Sequence, residues 1–146
     1  VYVHIVSKFN TQGAYHLDIQ RENQSACLAD GAEPNNFADA TAPLAPSGTA
    51  SFTLCGFDQD YFRVDGISGK KLKATASFLH SQGDIDVQIL NVDGRDILGV
   101  ADGIANVEVA EAILPLDDTY YVRVFTLTED VDTRYDLTIE LTDPDE

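Results

Sequence analysis

The chain of 146 residues carries 25 acidic against 9 basic side chains, a formal charge of −16, and 44% of it is apolar. That apolar share argues against wholesale disorder, the length holds about one domain with a modest core, and no apolar run approaches the roughly 18 residues that a membrane span needs. The carboxylate surplus argues against nucleic acid and anionic membrane as partners, because phosphate binding needs clustered Lys and Arg; it suits cations, or a life outside the cell in salt.

In chain order, the segments 2–9 and 14–21 read as a first pair of strands, rich in Val, Ile and Tyr, and 50–55, 60–65, 71–79, 84–91, 96–101, 106–112, 119–127 and 134–141 follow. Valine, isoleucine, tyrosine, phenylalanine and threonine dominate these runs, Gly, Asp and Asn separate them, and none has a helical period. Leu72, Ala74, Ala76 and Phe78 alternate with polar neighbours, as do Ile85, Val87 and Ile89 against Asp84, Asp86 and Gln88. That alternation is expected of sheets packed on one side. Asp93-Gly94 between two such runs predicts a hairpin turn. About eight short strands predict an all-β fold, an antiparallel two-layer β-sandwich, with a small barrel as the alternative architecture.

Cys27 and Cys55 bracket a Pro/Asn/Ala/Ser/Thr-rich stretch, Asp30 to Ser51, that has little periodicity of its own. A disulfide between them would close a loop of about 29 residues and stabilise the fold by about 3–4 kcal/mol through lost chain entropy. Such a bridge implies an oxidising compartment.

The first strand pair returns near the C-terminus. Tyr2-Val3-His4-Ile5-Val6 and Tyr15-His16-Leu17-Asp18-Ile19 match Tyr121-Val122-Arg123-Val124-Phe125 and Tyr135-Asp136-Leu137-Thr138-Ile139, at offsets of 119 and 120 residues. A repeat of this kind is the trace of a tandem array cut out of register. Residues 1–24 are therefore expected to be the closing hairpin of a preceding repeat plus a linker, 25–142 a complete copy, and 143–146 an acidic tail. With no Met in the chain, any signal peptide is expected upstream. The orphan hairpin needs cover for its apolar face and open edge, so residues 1–22 are expected to pack on a neighbouring surface or to mediate self-association.

The run Asp30-Gly31-Ala32-Glu33-Pro34-Asn35-Asn36, then Phe57-Asp58-Gln59-Asp60-Tyr61-Phe62, Gly83-Asp84-Ile85-Asp86-Val87, Asp93-Gly94, Thr119-Tyr120-Tyr121-Val122 and Tyr135-Asp136-Leu137 resembles, in that order, the bacterial pre-peptidase C-terminal domain. The resemblance covers residues 27–141. It implies a jelly-roll-like β-sandwich appended to secreted peptidases and other exported proteins, without catalysis of its own. It also links the chain to the collagen-binding domains of clostridial collagenases, which hold calcium between an acidic linker resembling Glu33-Pro34-Asn35-Asn36 and a turn resembling Asp58-Gln59-Asp60.

Calcium wants six to eight oxygens from carboxylates, amides and carbonyls. Asp30, Glu33, Asn35 and Asn36 lie within seven residues, and Asp58 and Asp60 follow just past Cys55, so a Cys27–Cys55 bridge would draw the two groups together. In the competing reading Asn35-Asn36 is a turn capped by Asp58 and Asp60 merely begins a strand. Asp84 and Asp86 could form a second site, or a solvated face paired with basic side chains. His4, His16 and His80 share no ligand spacing, and the chain has no nucleophile elbow, P-loop or HExxH motif. Among the aromatics Tyr120, Tyr121, Phe125 and Tyr135, most are expected in the core or at a sandwich corner, leaving room for one exposed pair to grip an extended polypeptide.

The expected function is that of a non-catalytic extracellular or cell-surface accessory module, secreted and of bacterial type, one unit of an array that stabilises, spaces or targets its attached domains. Its partners would be neighbouring domains of the same polypeptide and extracellular protein. One alternative is a calcium-assisted binding module for fibrous or insoluble protein. Another is a cleavable C-terminal extension that assists secretion or restrains an attached peptidase.

Overall fold

The computed structural model describes residues 30–39, 42–56, 58–128 and 132–145. The repeated hairpin, Cys27, His4 and His16 lie outside the described residues. Eight strands follow in order: β1 Gly48–Cys55, β2 Gln59–Asp65, β3 Lys71–Phe78, β4 Asp86–Leu90, β5 Ile97–Ala101, β6 Val107–Ile113, β7 Thr119–Phe125 and β8 Asp132–Thr142. They form two four-stranded sheets in the orders β1-β8-β3-β6 and β2-β7-β4-β5, with every pairing of neighbours antiparallel. Successive strands alternate between the two sheets except at the β4–β5 hairpin, which makes a jelly roll, the two-layer sandwich that the strand pattern predicts. Among the described residues no helix is long and apolar enough to cross a membrane.

The core follows from the period of two. Leu72, Ala74, Ala76 and Phe78 on β3 face Phe62 and Val64 on β2, Val87 and Ile89 on β4, and Val122 and Val124 on β7. Most of these side chains are completely dry, and burial of each Leu, Ile, Val or Phe contributes about 1.5–3 kcal/mol relative to exposure. The Asp93-Gly94 turn closes the β4–β5 hairpin with Gly94 at φ +67, a left-handed conformation that glycine adopts without strain. At the start of β7 the Tyr120 hydroxyl donates to the Leu116 carbonyl at 3.0 Å and accepts from the Leu116 N–H at 3.2 Å. This tyrosine corner pins the crossover that delivers β7 to its sheet.

Residues 35–39 and 42–45, which carry no periodicity, run along the outer edge of β2. The Tyr61 N–H donates to the Asn35 carbonyl and the Arg63 N–H to the Pro43 carbonyl, each at 2.8 Å, while the Ala45 N–H donates to the Arg63 carbonyl at 2.8 Å. The segment thereby satisfies backbone groups that an edge strand would leave open, and it sets Asn35 and Asn36 beside β2.

The aromatics of the last two strands correct the expectation of an exposed pair: Tyr120, Tyr121, Phe125 and Tyr135 are all buried. Tyr121 lies on the outer face of its sheet, but there it packs with Ala42 and Leu90, with Ala38 and Tyr61 against them. Phe125 is covered by the Arg123 guanidinium, 4.0 Å from its ring centre. Strand alternation alone could not foresee either cover.

Candidate metal centre

β2 begins by turning Asp60, Phe62 and Val64 inward, so that a carboxylate occupies the first core position of the strand and is fully buried. A buried carboxylate is costly without partners. Asp60 meets the hydroxyl of Tyr135, which donates to Asp60 Oδ2 from β8 in the opposite sheet. Asp58, one residue before the strand, accepts at Oδ1 from the Gln59 N–H at 2.9 Å and from the Asn36 amide. From the preceding segment Glu33 reaches back to accept the Asn35 N–H at Oε2, 3.2 Å away.

These chains of contact bring one oxygen each from Glu33, Asp58 and Asp60 within 4.8 Å of one another, the one such triad of His, Cys, Asp and Glu groups among the described residues. Two oxygens on opposite sides of a calcium ion, each at 2.3–2.6 Å, stand about 5 Å apart. The spacing fits.

The Asn35 side chain belongs to the same cluster. It is 3% exposed, and its amide places one atom 3.0 Å from Glu33 Oε2 and 3.2 Å from Asp60 Oδ1. With the amide nitrogen at that position, Asn35 donates to both carboxylates. Turned over, the amide would present its oxygen to them instead, which is the arrangement a hard cation would call for, together with loss of the Asp60 proton.

The electrostatics have the same origin. Burial raises the Asp60 carboxyl from 3.8 to about 8, against the hydrogen bond from Tyr135, and Asp58, Glu33 and Asp30 push it in the same direction as burial. Burial and then Asp58 raise Glu33 as well. The Tyr135 hydroxyl is driven far above its usual range by burial and by Asp60. The charged groups acting most strongly on Asp60 are thus all carboxylates, which leaves a site short of positive charge.

Of the six residues that the sequence singles out, Glu33, Asn35, Asp58 and Asp60 converge. Asn36 joins through its amide nitrogen, as a donor to Asp58. Asp30 stands aside: its two oxygens accept the Ala32 N–H at 2.9 Å and the Thr53 N–H at 2.6 Å, which ties the entering chain to β1. Cys55 ends β1 a few residues from Asp58. Of the second acidic pair, Asp84 faces His80 Nδ1 at 3.2 Å and Asp86 opens β4. Burial and then Asp84, Asp102 and Glu108 raise Asp86 to about 6. Sequence reasoning missed the part of Tyr135 in this site. The available signal was an aspartate at an inward position of β2, which must find a buried donor on another strand.

The class defined so far is a jelly-roll sandwich with an acidic cluster at the mouth between β2 and β8. Among solved structures the chain is similar to the pre-peptidase C-terminal domain of collagenase from Bacillus anthracis, at 16% identity and a TM-score of 0.56, over 67% of this chain and 93% of that one. It is also similar to PliG of Aeromonas hydrophila, a periplasmic inhibitor of g-type lysozyme, at 13% identity and a TM-score of 0.50, over 67% of this chain and 94% of the other. At such identities the likeness is one of fold. No protein-family model and no curated protein matches the chain.

Proposed function

We propose that the chain is a non-catalytic extracellular accessory module, one unit of a tandem array, whose jelly roll is clasped by calcium at Glu33, Asn35, Asp58 and Asp60 and which stabilises, spaces or targets the domains attached to it. The observation that carries the reading is the convergence of one oxygen each from Glu33, Asp58 and Asp60, with the buried Asn35 amide beside Glu33 and Asp60. The fold shared with a collagenase's pre-peptidase C-terminal domain supports the accessory role, and the surface charge of −16 supports a life in salt. Burial of Tyr120, Tyr121, Phe125 and Tyr135 favours this reading over a gripping surface for fibrous protein built from those rings.

Calcium that binds only the folded state raises the melting temperature by mass action. Between chelator and millimolar calcium a rise of roughly 3–10 °C is expected, from about 1–3 kcal/mol of binding linkage. Glu33→Ala combined with Asp60→Ala should abolish it. A melt indifferent to calcium would remove the metal from this reading, and a shift that survives the double substitution would place the metal elsewhere.

The proposed bridge between Cys27 and Cys55 would fasten the linker next to this cluster and belongs with an exported protein. Titration of the unreduced, denatured chain should find no free thiol. Two thiols per chain would sink both the bridge and the inference of export drawn from it.

A further inference from the structure

We infer that Tyr135 is a positioning residue for the calcium site, committing one oxygen of Asp60 to the sandwich and leaving the other for the ion; the inference rests on the calcium reading above. The Tyr135 hydroxyl donates to Asp60 Oδ2. Asp60 Oδ1 is the oxygen that faces the Asn35 amide, at 3.2 Å. The two oxygens of this carboxylate therefore have separate tasks.

Tyr135 can impose that division because it cannot move. β8 is an interior strand, and Tyr135 is held in register between Phe52 of β1 and Phe78 of β3. Its ring lies 5.7 Å from that of Phe52, and the residue is 1% exposed. Asp60 belongs to the other sheet, so the hydrogen bond spans the sandwich and the ligand's orientation is set by the core. A carboxylate freed from this donor could rotate, turn both oxygens to the ion or withdraw from it. The ion would then pay the ordering cost that the fold now meets in advance. Partners of metal ligands placed in this way change affinity by about 10–100-fold when removed.

The test is the calcium dissociation constant of the full chain, measured by calorimetry on folded, metal-stripped protein. Tyr135→Phe keeps the ring and loses the hydroxyl, and should weaken calcium binding about 10–100-fold. Tyr120→Phe removes another buried hydroxyl, one bonded to the Leu116 backbone. It should cost melting temperature while leaving calcium affinity at the wild-type value, which separates positioning from general loss of stability. Equal affinity in Tyr135→Phe and wild type would overturn the inference and leave the calcium site standing. Absence of calcium binding to the wild type would instead overturn the calcium reading itself. Should Tyr135→Phe not fold, the wild type labelled with 13C at the tyrosine ring carbon that bears the hydroxyl decides: one signal, still present in Tyr61→Phe, must move with the calcium-binding midpoint. No movement among the tyrosine signals would overturn the inference.

Discussion

In chelator, the urea midpoint of the protein is expected to fall as the pH is raised from about 4 to about 8, against the usual gain that folded proteins make when their paired carboxylates ionise. The cause is Asp60, whose carboxyl stands at about 8 in the fold against 3.8 as an ordinary side chain. Over that window the folded chain holds a proton that the unfolded chain has released. Stability from this group is therefore complete below about 4 and is lost as the pH rises through about 8. A displacement of that size corresponds to something on the order of 5 kcal/mol, a large part of the 5–15 kcal/mol that a domain possesses. Glu33, raised in the same direction, adds to the fall. Asp60→Asn in chelator should flatten the profile, since the amide has no proton to lose. With calcium in excess the trend should shrink or reverse, because the ion displaces the proton and its affinity grows with pH. A midpoint that stays level in chelator across this range would show that Asp60 is better solvated than its burial indicates.

Phe62→Ala is expected to cost roughly 3–5 kcal/mol, the range for emptying an aromatic site in a core. Phe62 is 1% exposed and its ring centre lies 4.7 Å from that of Phe52, which in turn packs on Tyr135. The loss should appear as a fall in the thermal and urea midpoints. Water admitted beside the vacated ring would also reach Asp60, two residues away on the same inward face, and lower its carboxyl. The pH slope in chelator should then be shallower than in the wild type. A large destabilisation with the full slope retained would show that Asp60 is kept dry by something other than this aromatic wall.

The strands were legible because burial in a sandwich has a period of two, and the runs around Leu72, Ile85 and Val122 repeat it without interruption. Their ends were less so. β1 starts at Gly48 and β8 at Asp132, both earlier than the apolar pattern begins, because ladder hydrogen bonds continue past the apolar residues, through exposed positions in β1 and through the buried but polar Thr133 in β8. The 35–45 segment showed no period, since it is held by backbone bonds to β2 and by Ala42 on the outer face. Composition brought Glu33, Asn35, Asp58 and Asp60 together as candidates, because oxygens close in sequence are easily noticed. It could not separate the tasks of Asp30 and Asp60. One ties a loop to β1 and the other lies in the core, and only the alternation of β2 read jointly with a tyrosine 75 residues away distinguishes them. The first copy of the repeat, from which residues 1–24 are expected to belong to a preceding unit, lies outside the described residues.

The contact between β5 and β6 gives the molecule a spine. A Cβ placed on Gly99 would stand 2.4 Å from the Glu111 carbonyl oxygen, so the two backbones there touch without intervening side chains. Toward the opposite margin, the edge strand β2 is tied to the interior strand β8 of the other sheet by Tyr135 and Asp60 instead. The sandwich is therefore built like a book. One side is closed by backbone against backbone at Gly99, whereas the tie between β2 and β8 runs through a carboxyl whose protonation follows pH.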